Sequence, residues 1–303
     1  MNKSAAVKPS EVVMKALCPN SQLPVRVITP HDGTEAFKFA LSSLLRDWRV
    51  SRDLAWRIFV RDTQASFRGS FLGWLWIVLP VLANSLVWMF LSGTSVLSIK
   101  TGTVPYPLFV FVGNLLWVCF NNALVGGLGV LNEAQGTLGK VNFPPESLVV
   151  VVLWKSFLNL AVTLLALPMF LLLYPVPWRS EILLFPIGVV LTIGWGLSLG
   201  LILVPVAALF QDLSRAVHLS LRFLFFLTPV VFPLPESGIA RTLMLWNPAT
   251  CLITASRGWL LGGERADVGA LLSVGAASVL LLAVGVIALK VSIPHIVERT
   301  AGG

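Results

Sequence analysis

Five long apolar runs constrain this chain more than any other feature. Phe71–Ile99, Tyr106–Leu131, Leu148–Tyr174, Ile182–Phe210 and Leu271–Val291 each offer about the 20 largely apolar residues that a helix needs to cross a bilayer. A sixth run, Val217–Leu234, is shorter and carries Arg222, Pro229 and Pro233. Composition agrees with the membrane reading: 12% of residues are charged, about half the usual ~25% of a soluble domain.

Charge decides the topology. Eleven of the 22 Lys and Arg lie in the first 70 residues, ahead of the first apolar run, and the rest flank such runs. A net charge of +8 therefore reads as the positive-inside signal of a membrane protein and not as a nucleic-acid footprint. Six spans with a cytoplasmic N-terminus place Lys140, Arg215, Lys290 and Arg299 inside, with Lys155 close enough to the cytoplasmic surface to snorkel. Lys100, Arg179, Arg241, Arg257 and Arg265 then lie outside. Five spans would turn the long 235–268 segment inward, so six are expected, with both termini cytoplasmic.

Three flanking segments have patterns of their own. Arg46, Arg49, Asp53, Arg57 and Arg61 share one helical face, opposite Leu41, Leu44, Trp48, Ala55, Ile58 and Phe59; this describes a helix in the membrane interface. Val50, Trp56 and Val60 fall off the apolar stripe. Leu131–Glu146 is short and mostly polar, and Pro144-Pro145 forces a break. A short helix docked across the cytoplasmic face suits it, as does a plain turn. Pro235–Asp267 mixes apolar runs too short to span with Asn247-Pro248 and Gly262-Gly263. Re-entrant half-helices on the outer face account for it, provided that protein or an aqueous path covers their backbone.

Signals for chemistry are sparse. The histidines are His31, His218 and His295, and Cys18, Cys119 and Cys251 show neither metal spacing nor a disulfide framework. Residues 134–141, AQGTLGKV, approach a phosphate loop but lack its first Gly and its closing hydroxyl. No ATP site is expected on this chain. The Asp212, Arg215 and His218 group reads as solvation of a turn. Arg222 either snorkels or stands at the entrance of a pathway for an anionic headgroup. Trp74, Trp76, Trp154 and Trp178 suit an interfacial belt, while Trp88, Trp117 and Trp195 lie deeper, where packing is the expected role.

Arg61-Asp62, Arg68, Leu72-Gly73-Trp74-Leu75-Trp76 and Pro80 resemble the opening of polysaccharide and polyol-phosphate ABC exporter permeases. Asn142-Phe143-Pro144 with Glu146 resembles that family's cytoplasmic loop. Thr228–Pro233, Trp246-Asn247-Pro248 and Arg257–Gly263 are similar to its closing motifs. The resemblance runs from about residue 38 to 293, and the N-terminal tail has no match in it.

The resemblance implies an all-α membrane protein of about six transmembrane helices with an N-terminal amphipathic interface helix and re-entrant gate helices between the fifth and sixth spans. The expected divisions are a cytoplasmic tail (1–37), the interface helix and its lead-in (38–70), the membrane domain (71–293) and a cytoplasmic C-terminal tail (294–303). The implied assembly is a homodimer bound to two copies of a separate ABC ATPase in the bacterial inner membrane, moving a lipid-linked glycan. ATP and magnesium would be held by the ATPase, with no cofactor or metal on this chain. Substrate entrance and channel residues are expected at Arg57, Arg61, Arg68, Trp74, Trp76, Arg222, Phe225 and Phe226. Asn132, Glu133, Gln135 and Lys140 would couple to the ATPase. Trp246, Asn247, Pro248, Arg257 and Trp259 would form the outer gate. A permease for a drug or simple lipid, a membrane-embedded enzyme acting on lipid-linked intermediates and a secondary transporter are the competing readings.

Overall fold

The computed structural model describes residues 48–94, 99, 101–138, 146–177, 179–263 and 267–301. The tail 1–37, the first part of the interface helix, Lys140 and the Asn142–Pro144 motif lie outside them. Every regular element among the described residues is a helix and none is a strand: α1 (Trp48–Phe67), α2 (Leu75–Gly93), α3 (Tyr106–Leu138), α4 (Glu146–Leu164), α5 (Leu167–Leu173), a 3-10 turn (Ser180–Leu184), α6 (Phe185–Leu209), α7 (Gln211–Phe226), α8 (Ile239–Trp246), α9 (Pro248–Leu261) and α10 (Val268–Ala301). Five stretches are long and apolar enough to cross a membrane: Leu75–Gly93, Tyr106–Leu131, Glu146–Leu173, Ser180–Leu209 and Val268–Lys290. This is a multi-pass, all-helical membrane protein.

Prolines set several boundaries. The third run is two helices, because Pro168 lacks an amide hydrogen and its ring excludes the carbonyl four residues earlier. That residue is Leu164, where α4 ends. The expected span Val217–Leu234 is corrected more sharply. Its helix starts earlier, at Gln211, and stops at Phe226. Sixteen residues rise about 24 Å, less than the ~30 Å hydrocarbon core. Pro229 cannot continue the helix, and Thr228–Val231 form a fully buried non-helical break.

After Leu131 a short docked helix or a plain turn was expected; instead α3 continues unbroken to Leu138. Asn132-Glu-Ala-Gln135 contains no breaker, so the polar segment extends the membrane helix beyond its apolar stretch.

The core is the α3–α6 pair. Gly196 and Gly200, one turn apart on α6, lie against the Phe120 and Leu124 carbonyls of α3, and a side chain at either would meet that backbone. Small residues at this spacing let membrane helices approach closely, which replaces the hydrophobic drive that lipid does not supply. In consequence α3 is mostly buried within the chain, whereas α2, α4 and α10 keep most of their apolar surface outward. A polar tie fixes α2 on α3: Asn84 donates to Asn114 Oδ1 at 2.8 Å, and Asn114 donates to Ser85 Oγ at 3.0 Å.

Candidate functional site

Three groups of side chains stand out, one at each level of the molecule. The first is ionic and lies where α1, α3 and α4 meet. α1 docks on α4 through buried Ser51, Ala55 and Phe59, with Ala55 against Val150 and Val151. Asp62 continues that stripe one turn later. Lys155 of α4 reaches Glu133 Oε2 on α3 at 2.7 Å and Asp62 Oδ2 on α1 at 3.3 Å. Arg61 joins through Asp62 Oδ1 at 2.9 Å. Lys155 therefore does more than snorkel: it ties three helices at once. Lys290 of α10 pairs with Glu146, the first residue of α4, and both side chains are largely buried. Sequence reasoning missed Asp62, Lys155 and Glu146 as partners because the pairs join residues far apart in the chain.

The second group is aromatic. Trp88 of α2 packs edge-on to Phe226 and to Phe232, with ring centroids 6.3 and 5.2 Å apart. Phe225 touches both Phe226 (5.3 Å) and Trp117 of α3 (5.7 Å). Phe225 and Phe226, both expected at the substrate entrance, thus share one aromatic group with Trp88 and Trp117. Arg222 is exposed one turn earlier on α7 and has no ion-pair partner among the described residues. Trp74 and Trp76 are about half exposed, and Trp74 stacks on Phe67 at 4.6 Å. Arg57, Arg61 and Arg68 are exposed on α1 or just after it, apart from the aromatic group.

The third group clamps the break after α7. Arg257, expected in the outer gate, is 1% exposed. Its guanidinium donates to the Pro229 carbonyl at 2.8 Å and the Val230 carbonyl at 3.3 Å. It also stands 3.6 Å over the Phe109 ring. The reason for this burial is the break itself, which frees carbonyls that no helix hydrogen bond satisfies. Asn247 caps α9 by accepting from the Ala249 amide at 3.1 Å, and its Nδ2 donates to Thr228 Oγ1 at 2.7 Å. Pro248 opens α9, where a missing amide hydrogen costs nothing. Gly113 of α3 lies so close to the Val230 carbonyl that no side chain fits there. Trp259 packs partly buried against Gly188 of α6, while Trp246 is 85% exposed.

Of the expected coupling residues, Asn132, Glu133 and Gln135 lie on the polar end of α3, where Glu133 holds Lys155. Residues 134–138, inside the near-match to a phosphate loop, are helical and continue a helix. That geometry does not fit a phosphate cradle, which needs a strand and a free turn. No group of three His, Cys, Asp or Glu able to hold a metal occurs among the described residues.

Residues 53–261 match the ABC-2 type transporter family. The chain is similar to the O-antigen export system permease protein RfbA of Myxococcus xanthus, with 32% identity over 246 residues that cover 79% of this chain and 92% of that protein. It is also similar to the polysialic acid transport protein KpsM of Escherichia coli, with 24% identity over 217 residues, 68% of this chain and 80% of that protein. A Klebsiella pneumoniae O-antigen export system permease protein RfbA shares 24% identity over 211 residues, 67% of this chain and 78% of its own length. The matched region runs from α1 through the clamped break to the end of α9, and the chain belongs to the ABC-2 type transporter family of membrane transport permeases.

Proposed function

We propose that this chain is the membrane-spanning subunit of an ATP-driven exporter that moves a lipid-linked polysaccharide across the bacterial cytoplasmic membrane. It would act as a homodimer with two copies of a separate ABC ATPase, which holds ATP and magnesium. The observation that carries the cargo reading is the similarity to an O-antigen export permease over 92% of that relative's length. Both termini would lie in the cytoplasm, a reading supported by the eleven Lys and Arg of the first 70 residues, with α7 and the six residues Leu227–Phe232 together filling one crossing.

The geometry supports a division of labour. The polar end of α3 (Asn132, Glu133, Gln135, with Lys140 beyond it) is the seat for the ATPase. Displacing that end moves Glu133, and through Lys155 it moves α1 and α4. A state of the ATPase that binds one position of α3 better than another shifts the permease between two conformations. Arg222 offers a cation to the anionic linkage of the cargo. Phe225, Phe226 and Trp88 beside it form an apolar, aromatic wall on which sugar rings slide without strong capture. At the outer end, α8 and α9 move together with the break, because Asn247 and Arg257 both grip it.

The test is deletion in the native host, with surface glycan and lipid-linked glycan inside the cell both quantified. Loss at the surface with accumulation inside supports export and yields the cargo for identification. Unchanged glycan in both pools overturns the polysaccharide reading and favours a permease for a drug or a simple lipid. Arg222→Gln should lower export while the ATPase still assembles; normal export removes Arg222 from the pathway.

A further inference from the structure

α1 leans on α4 by one side only, and beside the contact a half-open cavity of about 340 Å³ remains, lined by Arg52, Asp53, Trp56, Arg57 and Trp154. The size falls in the range of small-ligand clefts, about 300–1,000 Å³. We propose that this groove holds the phosphodiester headgroup of an anionic phospholipid from the cytoplasmic leaflet.

Charge is the first argument. Two guanidinium groups face one carboxylate. Asp53 lies 3.6 Å from Arg52 with both side chains mostly exposed, an arrangement that neutralises little. Arg57 has no ion-pair partner among the described residues. A planar guanidinium matches phosphate oxygens in a bidentate way, so the groove complements a single anionic phosphate.

The aromatic walls are the second argument, and they choose a lipid over a soluble anion. Trp56 is 50% exposed and Trp154 39% exposed, set edge to face at 5.4 Å and backed by Phe59. Trp154 stands eight residues into α4, about 12 Å from its start, at the depth where indoles favour the headgroup boundary. A free phosphate gains nothing from two half-exposed indoles; a glycerol backbone and the first acyl carbons do. The groove is walled by α1 and α4 and shares no residue with the Trp88, Trp117, Phe225 and Phe226 group, and its Arg57, expected at the substrate entrance, is assigned here to the lipid instead. It adjoins the ionic tie, since Trp154 precedes Lys155 and Arg57 lies a little over one turn before Asp62. A bound lipid therefore braces α1 on α4 where α3 is tied.

The site rests on the orientation given above, with α1 on the cytoplasmic side, but not on the identity of the cargo. The test is native mass spectrometry of the full-length protein titrated with phosphatidylglycerol, phosphatidylcholine and inorganic phosphate. Phosphatidylglycerol should bind in preference to phosphatidylcholine, and millimolar inorganic phosphate should leave it in place. Arg52→Gln with Arg57→Gln should weaken phosphatidylglycerol by about fivefold for each charge removed. Both residues are exposed and neither packs in the α1–α4 contact, so folding is preserved. Arg215→Gln, which removes an exposed arginine elsewhere, should change nothing. Equal binding of the two lipids, no loss in the double variant, or displacement by free phosphate each overturns the proposal. Loss of the lipid with export unaffected would leave the site standing, and a change of cargo assignment would not touch it.

Discussion

Lys155 and Arg257 are both cations on apolar helices, and their surroundings are opposite. Lys155 is about a third exposed and meets two carboxylates, one of them, Glu133, more than half exposed. Arg257 is almost wholly buried and is met by two backbone carbonyls and a ring face. Glu133 can exchange Lys155 for water at little cost, since exposed bridges contribute about 0–1 kcal/mol, while Asp62, a quarter exposed, holds on somewhat more firmly. A buried guanidinium has no water to return to, and the carbonyls it leaves would be orphaned. The contrast separates a joint that can open from a pin that cannot, which is what the proposed driven cytoplasmic end and outer gate would require.

Four measurements bear on that contrast. The largest effect is expected for Arg257→Ala, which orphans two buried carbonyls and removes a desolvated cation–ring contact. Each hydrogen bond to a charged group is worth about 1.5–3 kcal/mol and the ring contact about 2 kcal/mol. Thermal unfolding in detergent should show strong destabilisation, with Arg257→Lys intermediate because an ammonium can reach a carbonyl but lacks the planar face that lies over the Phe109 ring. A small effect would mean that the break holds without its pin.

Lys155→Met should cost no more than about 1 kcal/mol in the same assay yet reduce transport strongly while ATP hydrolysis continues. Exchanging charges, Lys155→Glu with Glu133→Lys, should restore part of it. If Lys155→Met destabilises as much as Arg257→Ala, the distinction between joint and pin collapses. Ionic strength sharpens the same point: high salt should loosen α1 from α3, read as faster hydrogen exchange around Asp62, and leave the Thr228–Val231 break protected, because screening acts on exposed pairs.

The smallest effect concerns Cys251 on α9, whose thiol is raised by burial and further by the nearby Asp267 carboxylate. A raised pKa means less thiolate at neutral pH. Maleimide labelling in a protein lacking Cys18 and Cys119 should be slow, should speed up as pH rises, and should quicken modestly with Asp267→Asn. Rapid labelling at neutral pH would show that α9 swings out more freely than its grip on the break allows.

What the sequence determined was what its local order controls. Apolar length requires helices in lipid, and the five unambiguous runs all became helices. The opposed basic and apolar faces marked α1, whereas Pro229 reads as part of a span until the structure shows the interruption beyond α7. The resemblance of Arg61-Asp62 and the closing motifs pointed to the family that the match over residues 53–261 shows. The tertiary structure decided where charges went, because an ion pair or a capped carbonyl depends on atoms far away in the chain. Arg257 reads as an ordinary loop arginine until the break presents two free carbonyls to it. Lys155 reads as a snorkelling lysine until Glu133, carried onward by an unbroken α3, meets it. Trp56 spoils the amphipathic stripe of α1 on paper and proves to be a wall of the α1–α4 groove. Periodicity reports which face of a helix is apolar; only packing reports which neighbour that face meets.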